Sequence, residues 1–471
     1  MEETVAYAKY TTRDLIIYAI GIGCSRSYDN KNNQLNDDEE DNGEIRYLYE
    51  YHPSFCAFPL FPLALSFSAK PSITNSEQSI KRKTELDRFQ KNSTSFWSIQ
   101  PFPPYSMQSH SNKKGGNGIG PLPKDFIRFN NDNNQNDEDD EDGEDSEDSE
   151  DYEDEDLSYP VIHISQSLTI FHPLPVPMQF SKHQNDTENL DTIDPPITIQ
   201  MKTRLMKIVP KRVGTFVTTE THYYIFDPPT TNTNTNINTN VSQNNDFHEP
   251  ILLCSAQACT LILSIPPERV IPYEYKMNSS LNTQPSYLSS TFHNIHTKHT
   301  IYETIRKHFH DIVQKNKPSS IQIMKTSEDQ AILYRLSGDY NPLHVDPKVA
   351  SMANLEKDNH NPSSNVILHG LCTLGFAVRG FLQYYNSIKD KKISNGQLKH
   401  VSANFSKPVY INAELKVCLW QADNSMFDFN GITTDVKRIH SLILFQVYDT
   451  KRGSLVIDKG IIEVEVSNSK L

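Results

Sequence analysis

Val366-Ile-Leu-His369-Gly370-Leu371-Cys-Thr-Leu374-Gly-Phe-Ala-Val378-Arg-Gly-Phe381-Leu382-Gln-Tyr-Tyr385 is the stretch that decides the fold. Its apolar residues at 371, 374, 378, 381, 382 and 385 recur at the spacing of a helix buried along one face. Downstream lie five runs of alternating character, 398–406, 413–421, 426–435, 441–448 and 454–466. Polar breaks separate them, including Ser406-Lys407-Pro408, Asp423-Asn424 and Lys451-Arg452-Gly453. Alternation between such breaks predicts an antiparallel meander, and one long helix laid against it is an α+β unit.

Just upstream of that helix stands the segment with the most chemistry, Tyr334-Arg-Leu-Ser-Gly338-Asp339-Tyr340-Asn341-Pro342-Leu343-His344-Val-Asp346-Pro347. Within six residues it holds a carboxylate, a carboxamide and an imidazole around a proline. Pro342 fixes its own φ and pushes Asn341 toward extended geometry, while Gly338 permits a sharp turn before the acid. Asp339 and His344 can then share one water molecule, which is what addition or removal of water requires. Gly370, where the buried helix begins, offers an N–H and the positive end of the helix dipole to a developing oxyanion. A turn with no catalytic task remains the plain alternative for the loop. His369 reads as orienting the helix start, Asp346 as a cap before Pro347, and Arg379 and Lys407 as solvated charges or contacts to phosphate.

The first half carries a fainter version of the scheme. Thr11-Thr-Arg-Asp14 opens an apolar helix with Leu15, Ile16, Tyr18, Ala19 and Ile22. Residues 46–50 read as a short strand, 53–66 as a proline-broken helix, and 160–171, 197–209, 215–226 and 251–263 as strands. Ile170-Phe171-His172-Pro173-Leu174 parallels Phe405-Ser406-Lys407-Pro408-Val409. Two copies of one domain are implied, with the Asp-x-Asn-Pro-x-His loop in the second alone.

Much of the 471-residue chain is too polar to form a core. Segments near 29–44, 68–157, 184–196 and 229–249, together with 275–300, read as disordered insertions, because they bury too little apolar surface to offset chain entropy. Residues 132–156 hold 17 acids and no Lys or Arg, so without them the net charge moves from −14 to +3. That balance excludes nucleic acid as a partner. The six cysteines form no CxxC pair and read as buried thiols, with no metal site and no cofactor. Met1-Glu-Glu-Thr lacks a basic signal-peptide region, and the longest apolar run, 55–67, is broken by Pro59 and Pro62, so no membrane span is expected. The chain ends in Ser469-Lys470-Leu471, a tripeptide that an import receptor reads as a peroxisomal address. Gly115-Gly-Asn-Gly118-Ile-Gly120 follows no strand and is discounted as a nucleotide loop.

Residues 334–347, the run Ile-Leu-His-Gly-Leu-Cys-Thr-Leu-Gly-Phe at 367–376, and Phe405-Ser-Lys-Pro-Val-Tyr410 resemble the enoyl-CoA hydratase 2 family, the MaoC-like dehydratases. In the first half, 12–24 resembles the family's opening helix and 47–50 its next strand. The resemblance implies a double hot-dog fold: a non-catalytic hot-dog at 1–265, a linker at 266–318, a catalytic hot-dog at 319–467 and a targeting tail at 468–471. It implies reversible hydration of trans-2-enoyl-CoA to (3R)-3-hydroxyacyl-CoA in peroxisomal β-oxidation, with acyl-CoA as substrate. Carried over residue by residue, Asp339, His344, Asn341 and Gly370 become catalytic. His163, Ile164, Lys211, Tyr340, Pro342, Leu343 and Phe405 become substrate-binding, with Lys211 toward the CoA portion. A first half freed of catalytic residues implies a wider tunnel for long or branched acyl tails. The chain departs from the pattern at Ile164, where the family has Gly, at Val366, where it has Pro, and in an extra stretch at 357–364. An acyl-carrier dehydratase and a non-catalytic acyl-CoA-binding or scaffold protein stay open as alternatives, as does a homodimer.

Overall fold

The computed structural model describes residues 3–25, 44–71, 126, 161–177, 196–226, 250–263, 265–275, 286–352, 366–388, 398–422 and 441–465. The acidic run, the glycine-rich stretch 115–120, the extra stretch 357–364, the strand expected at 426–435 and the terminal tripeptide lie outside these residues. So do most of the insertions read near 29–44, 68–157, 184–196 and 229–249.

In the first half, β1 (Thr4–Tyr10), β2 (Lys70–Pro71), β3 (Val161–Ile170), β4 (Ile197–Lys211), β5 (Gly214–Ile225), β6 (Ile251–Ile262) and β7 (Tyr273–Glu274) accompany helices α1 (Thr12–Gly21) and α2 (Phe61–Ser68). Helix α3 (Ser286–Lys315) leads into the second half. There β8 (Ser320–Lys325), α4 (Gln330–Arg335), α5 (Pro347–Met352), β9 (Ile367–Leu368), α6 (Gly370–Ser387), β10 (Leu398–Phe405), β11 (Val409–Tyr410), β12 (Glu414–Ala422), β13 (Ser441–Asp449) and β14 (Ser454–Val464) follow.

Strand order along the main sheet is β2-β1-β4-β5-β6-β3-β10-β14-β13-β12-β8. Read outward from the β3–β10 seam, the two halves present matching strands in matching order, so β6 answers β14, β5 answers β13, β4 answers β12 and β1 answers β8. That mirrored order is the expected double hot-dog, two copies joined edge to edge through the antiparallel pairs His400↔Thr169 to Asn404↔Ser165. Joining the edges removes two rows of unpaired backbone groups from solvent.

The same local device opens both copies. Asp14 accepts the Thr11 N–H at 2.8 Å ahead of α1, and Gln330 accepts the Ser327 N–H ahead of α4. The two helices pack together across the seam. Gln330 Nε2 donates to the Gly21 carbonyl at 2.6 Å, and the Tyr18 and Tyr334 rings lie 6.0 Å apart. One continuous core results, with α6 buried along Leu371, Leu374, Val378, Phe381, Leu382 and Tyr385.

Several expectations need correction. Residues 46–50 form no strand. A 3-10 turn at Ile45–Tyr47 bends the chain so that Tyr47 packs on Phe58, ring centroids 5.1 Å apart. Strands β1 and β8 went unread, although Ala6, Ala8 and Tyr10 show the period-2 pattern of a half-buried strand. The second-half strands are not a simple meander, since β10 pairs with β14 rather than β12. Part of 275–300, read as an insertion, belongs to α3, which buries Ile301, Tyr302, Ile305, Phe309 and Ile312 on the outer face of the second sheet. Polar residues between those apolar positions masked their helical spacing. Among the described residues no helix is long and apolar enough to cross a membrane.

Candidate active site

Three structural devices hold the 334–347 loop. Gly338, at φ +111°, makes the turn after α4, and a Cβ there would stand 3.0 Å from Phe67 of the first half. A side-chain-bearing residue would be strained on both counts. Asn341 caps the 3-10 turn Pro342–His344 by accepting the Leu343 N–H at 2.9 Å. Arg335, at the end of α4, donates to the Asn341 carbonyl at 3.1 Å and lies 5.1 Å over the Tyr340 ring. The loop is therefore fixed from both sides and from within.

His344 is buried, and its Nδ1 lies 2.9 Å from the Ile367 carbonyl in β9. A carbonyl can only accept, so Nδ1 carries the proton and Nε2 presents a bare lone pair. Burial lowers the imidazole pKa to about 4, which keeps the ring neutral at cellular pH. Asp339 shows the opposite shift. Burial raises its carboxyl from 3.8 to about 6, against smaller opposing contributions from the Asn341 N–H and the Arg335 charge. A carboxyl raised toward neutral pH beside an imidazole that is uncharged at cellular pH has the make-up that acid–base chemistry requires.

His369, the N-cap of α6, completes the cluster. Its ring stacks on His344 with centroids 3.6 Å apart and planes 28° from parallel. Its Nε2 lies 3.2 Å from the Asp339 carbonyl and 4.0 Å from the Asp339 carboxylate. Ligand atoms of Asp339, His344 and His369 fall within 4.8 Å of one another. A metal centre is nevertheless a poor fit. Lone pairs lie in the ring plane, so two nearly parallel stacked imidazoles direct them side by side rather than at one ion. The His344 Nδ1 and His369 Nε2 are also already committed to carbonyls.

Gly370 opens α6, so its N–H belongs to the first turn and has no partner within the helix. A Cβ at 370 would meet the Phe405 ring at 3.3 Å. Phe405, at the end of β10, also faces the His163 ring of β3 at 4.9 Å. The β3–β10 seam thus carries His163 of the first half to Gly370 of the second. Ile164 occupies the bulge between His163 and Ser165 in the β3–β6 pairing, so the non-glycine residue stands at an irregularity in the strand. Tyr340, Pro342 and Leu343 lie on the loop itself. Lys211 is exposed at the β4–β5 hairpin, its ammonium 5.1 Å over the Phe216 ring, which ties it to the hairpin rather than the catalytic loop. Arg379 is not a solvated charge. Its Nε donates to buried Glu44 at 2.5 Å, and Gln383 donates to the same oxygen, pinning the first half to α6.

Sequence reasoning missed the Ile367 carbonyl, the Arg335 clamp, Phe67 and the His369 stack. Three of them join residues far apart in the chain, and the Arg335 clamp spans six residues. Arg335 alone left a local trace, as a cation standing four residues before Asp339.

The fold and this loop define a double hot-dog protein with one His/Asp loop. Residues 311–441 match the model of the MaoC like domain, and the chain carries that domain in its second half. The chain is 44% identical over 156 residues to "Peroxisomal multifunctional enzyme type 2" of Drosophila melanogaster, covering 33% of this chain and 21% of that protein. It is 33% identical over 155 residues to "Probable enoyl-CoA hydratase 2" of Dictyostelium discoideum, covering 33% of this chain and 43% of that one. The match thus spans less than half the length of either relative. A crystal structure of a MaoC-like dehydratase from Phytophthora Capsici superposes with a TM-score of 0.50 at 19% identity, covering 100% of this chain and 97% of that one.

Proposed function

We propose that the chain catalyses reversible hydration of trans-2-enoyl-CoA to (3R)-3-hydroxyacyl-CoA. The observation that carries this reading is the pairing of Asp339, poised near neutrality, with a His344 whose Nδ1–H is fixed on Ile367. A water held between them donates one hydrogen to the His344 Nε2 lone pair and the other to the Asp339 carboxylate. Its oxygen lone pair is left free to attack Cβ of the enoyl thioester.

As the Cβ–O bond forms, the water proton passes to Asp339 and the Cα=Cβ electron pair shifts toward the thioester oxygen. The Gly370 N–H and the positive end of α6 stabilise that enolate. Asp339 then returns the proton to Cα, which closes the balance: one water added and no net change at the enzyme. The Asn341 Nδ2, buried without a hydrogen-bond partner among the described residues, supplies a further donor in the same loop. Positioned acid–base help is worth roughly 10²–10⁴-fold, and oxyanion stabilisation is of similar size.

His163, Ile164, Tyr340, Pro342, Leu343 and Phe405 bound the acyl-thioester side of the site in this reading, and Lys211 meets the CoA portion. The first-half helix α2 has 8 residues where α6 has 18, which supports room for long or branched acyl tails. Ser469-Lys470-Leu471 and the word "peroxisomal" in a relative's name support peroxisomal import through the receptor that reads such tails. The first unit in this reading runs past 265 to take in β7, which pairs with β4, and the second begins ahead of 319 with α3, which packs on the second sheet.

The test is loss of 2-enoyl absorbance on incubating the purified chain with trans-2-enoyl-CoA, with Asp339→Asn and His344→Gln as controls. Turnover abolished by both substitutions supports the reading. An absence of turnover with the unsubstituted chain would leave an acyl-CoA-binding role, and turnover unaffected by either substitution would overturn the mechanism.

A further inference from the structure

We propose that His369 is a positioning residue for the hydration, because its ring stacks face to face on His344 while its Nε2–H holds the Asp339 main-chain carbonyl, so that one side chain sets the attitude of both water-holding groups. The inference rests on the hydration proposed above. Its geometric basis is specific. The ring is 1% exposed, lies 3.6 Å from His344 and 4.9 Å from Tyr334, and reaches the Asp339 carbonyl at 3.2 Å. Since a carbonyl accepts, Nε2 carries the proton. Nδ1 is then a lone pair buried without a hydrogen-bond partner among the described residues. Such a buried unmet polar atom costs about 1–3 kcal/mol.

The stack also bears on charge. Two imidazoles at 3.6 Å cannot both be protonated without strong repulsion, and His369 is itself held far below the ordinary imidazole range by burial and by His344. The groups facing His344 are His369 from the start of α6, the Ile367 carbonyl of β9, the Arg335 guanidinium from α4 and Asp339 on its own loop. His369 is the one whose ring is stacked on the His344 face. His344 therefore stays an uncharged acceptor for the water hydrogen across the working pH range.

Two substitutions separate the contributions. His369→Phe keeps a flat ring against His344 and removes the Nε2–H. The expected result is a fall in kcat of about tenfold, the worth of one hydrogen bond, with an unmoved pH profile. His369→Asn removes the stack and opens the ring face to water. There kcat is expected to fall about 100-fold, the scale of a misplaced reacting group, with KM little changed. The acid limb of log kcat should also shift upward and steepen from one proton toward two as His344 becomes protonatable.

Melting curves at pH 8 check that each variant is folded. A loss of kcat by one factor at every pH in both variants, or kcat unchanged in both, would overturn the inference. Imidazole ¹⁵N shifts of His344, assigned by their loss in His344→Gln, give a readout independent of turnover. His344 should titrate at higher pH in His369→Asn than in the unsubstituted chain. Equal titration in the two would sink the inference even if hydration is confirmed, and a raised titration would sustain the charge argument even if no turnover is found.

Discussion

Asp339→Asn should cut activity steeply and yet make the protein more stable, and the two effects have one origin. The carboxyl is raised from 3.8 to about 6 because burial disfavours its charge. The folded protein thus binds this proton more tightly than the unfolded chain. The associated stability is fully present below about pH 4 and is lost as pH rises through about 6. At pH 8 the ionised group costs the fold about 3 kcal/mol, from roughly two pKa units at 1.36 kcal/mol each.

Asparagine cannot ionise, fits the same space, and keeps an oxygen for the Asn341 N–H that Asp339 Oδ1 accepts at 3.3 Å. For a chain of this size about 2 °C accompanies each kcal/mol, so the Tm advantage of the variant should be about 6 °C larger at pH 8 than at pH 4. The assay is a pair of pH-dependent melting series alongside hydration kinetics, with kcat expected to fall roughly 10²–10⁴-fold. A Tm difference independent of pH, or a variant less stable at pH 8 than at pH 4 relative to the parent, would refute the claim that burial strains this carboxylate.

The remaining predictions concern the same architecture. The hydration rate of the unsubstituted chain should fall as pH drops through about 6, following protonation of Asp339, and a profile flat from pH 8 to 5 would remove Asp339 as the base. Gly370→Ala puts a Cβ 3.3 Å from the Phe405 ring, beside the N–H that the proposed mechanism aims at the thioester oxygen. kcat should drop by about 10²-fold, on the scale of a lost oxyanion donor, with little change in Tm. Glu44→Gln removes the buried charge that Arg379 pairs with and should destabilise the chain by about 3–5 kcal/mol in denaturant titration, with any active-site effect secondary. Phe309→Ala, in the helix laid over the second sheet, should cost about 3–5 kcal/mol in the same titration, and a cost near zero would mean α3 is not part of the folded unit.

Fold class, the duplication and the titratable make-up of the second-half loop were legible in the sequence because each is written in local spacing. Apolar positions at 371, 374, 378, 381 and 382 require a helix whichever partners it meets, and Pro342 with Gly338 constrains the loop whatever surrounds it. Strand β1 and helix α3 escaped notice for an equally local reason. Alanines make β1's buried face small, and polar residues crowd the stripe Ile301, Ile305, Phe309 and Ile312.

What only the tertiary structure decided is the state of the site. No spacing rule brings the Ile367 carbonyl to His344, 23 residues away, or Arg379 to Glu44, or His163 across the β3–β10 seam to Phe405. The sequence determined which titratable groups share a loop. Burial, which depends on how the two halves close over that loop, decided that one is held neutral and the other near the point of releasing its proton. Charge in a low-dielectric interior answers to everything packed around it, and that surrounding is assembled from residues far apart in the chain.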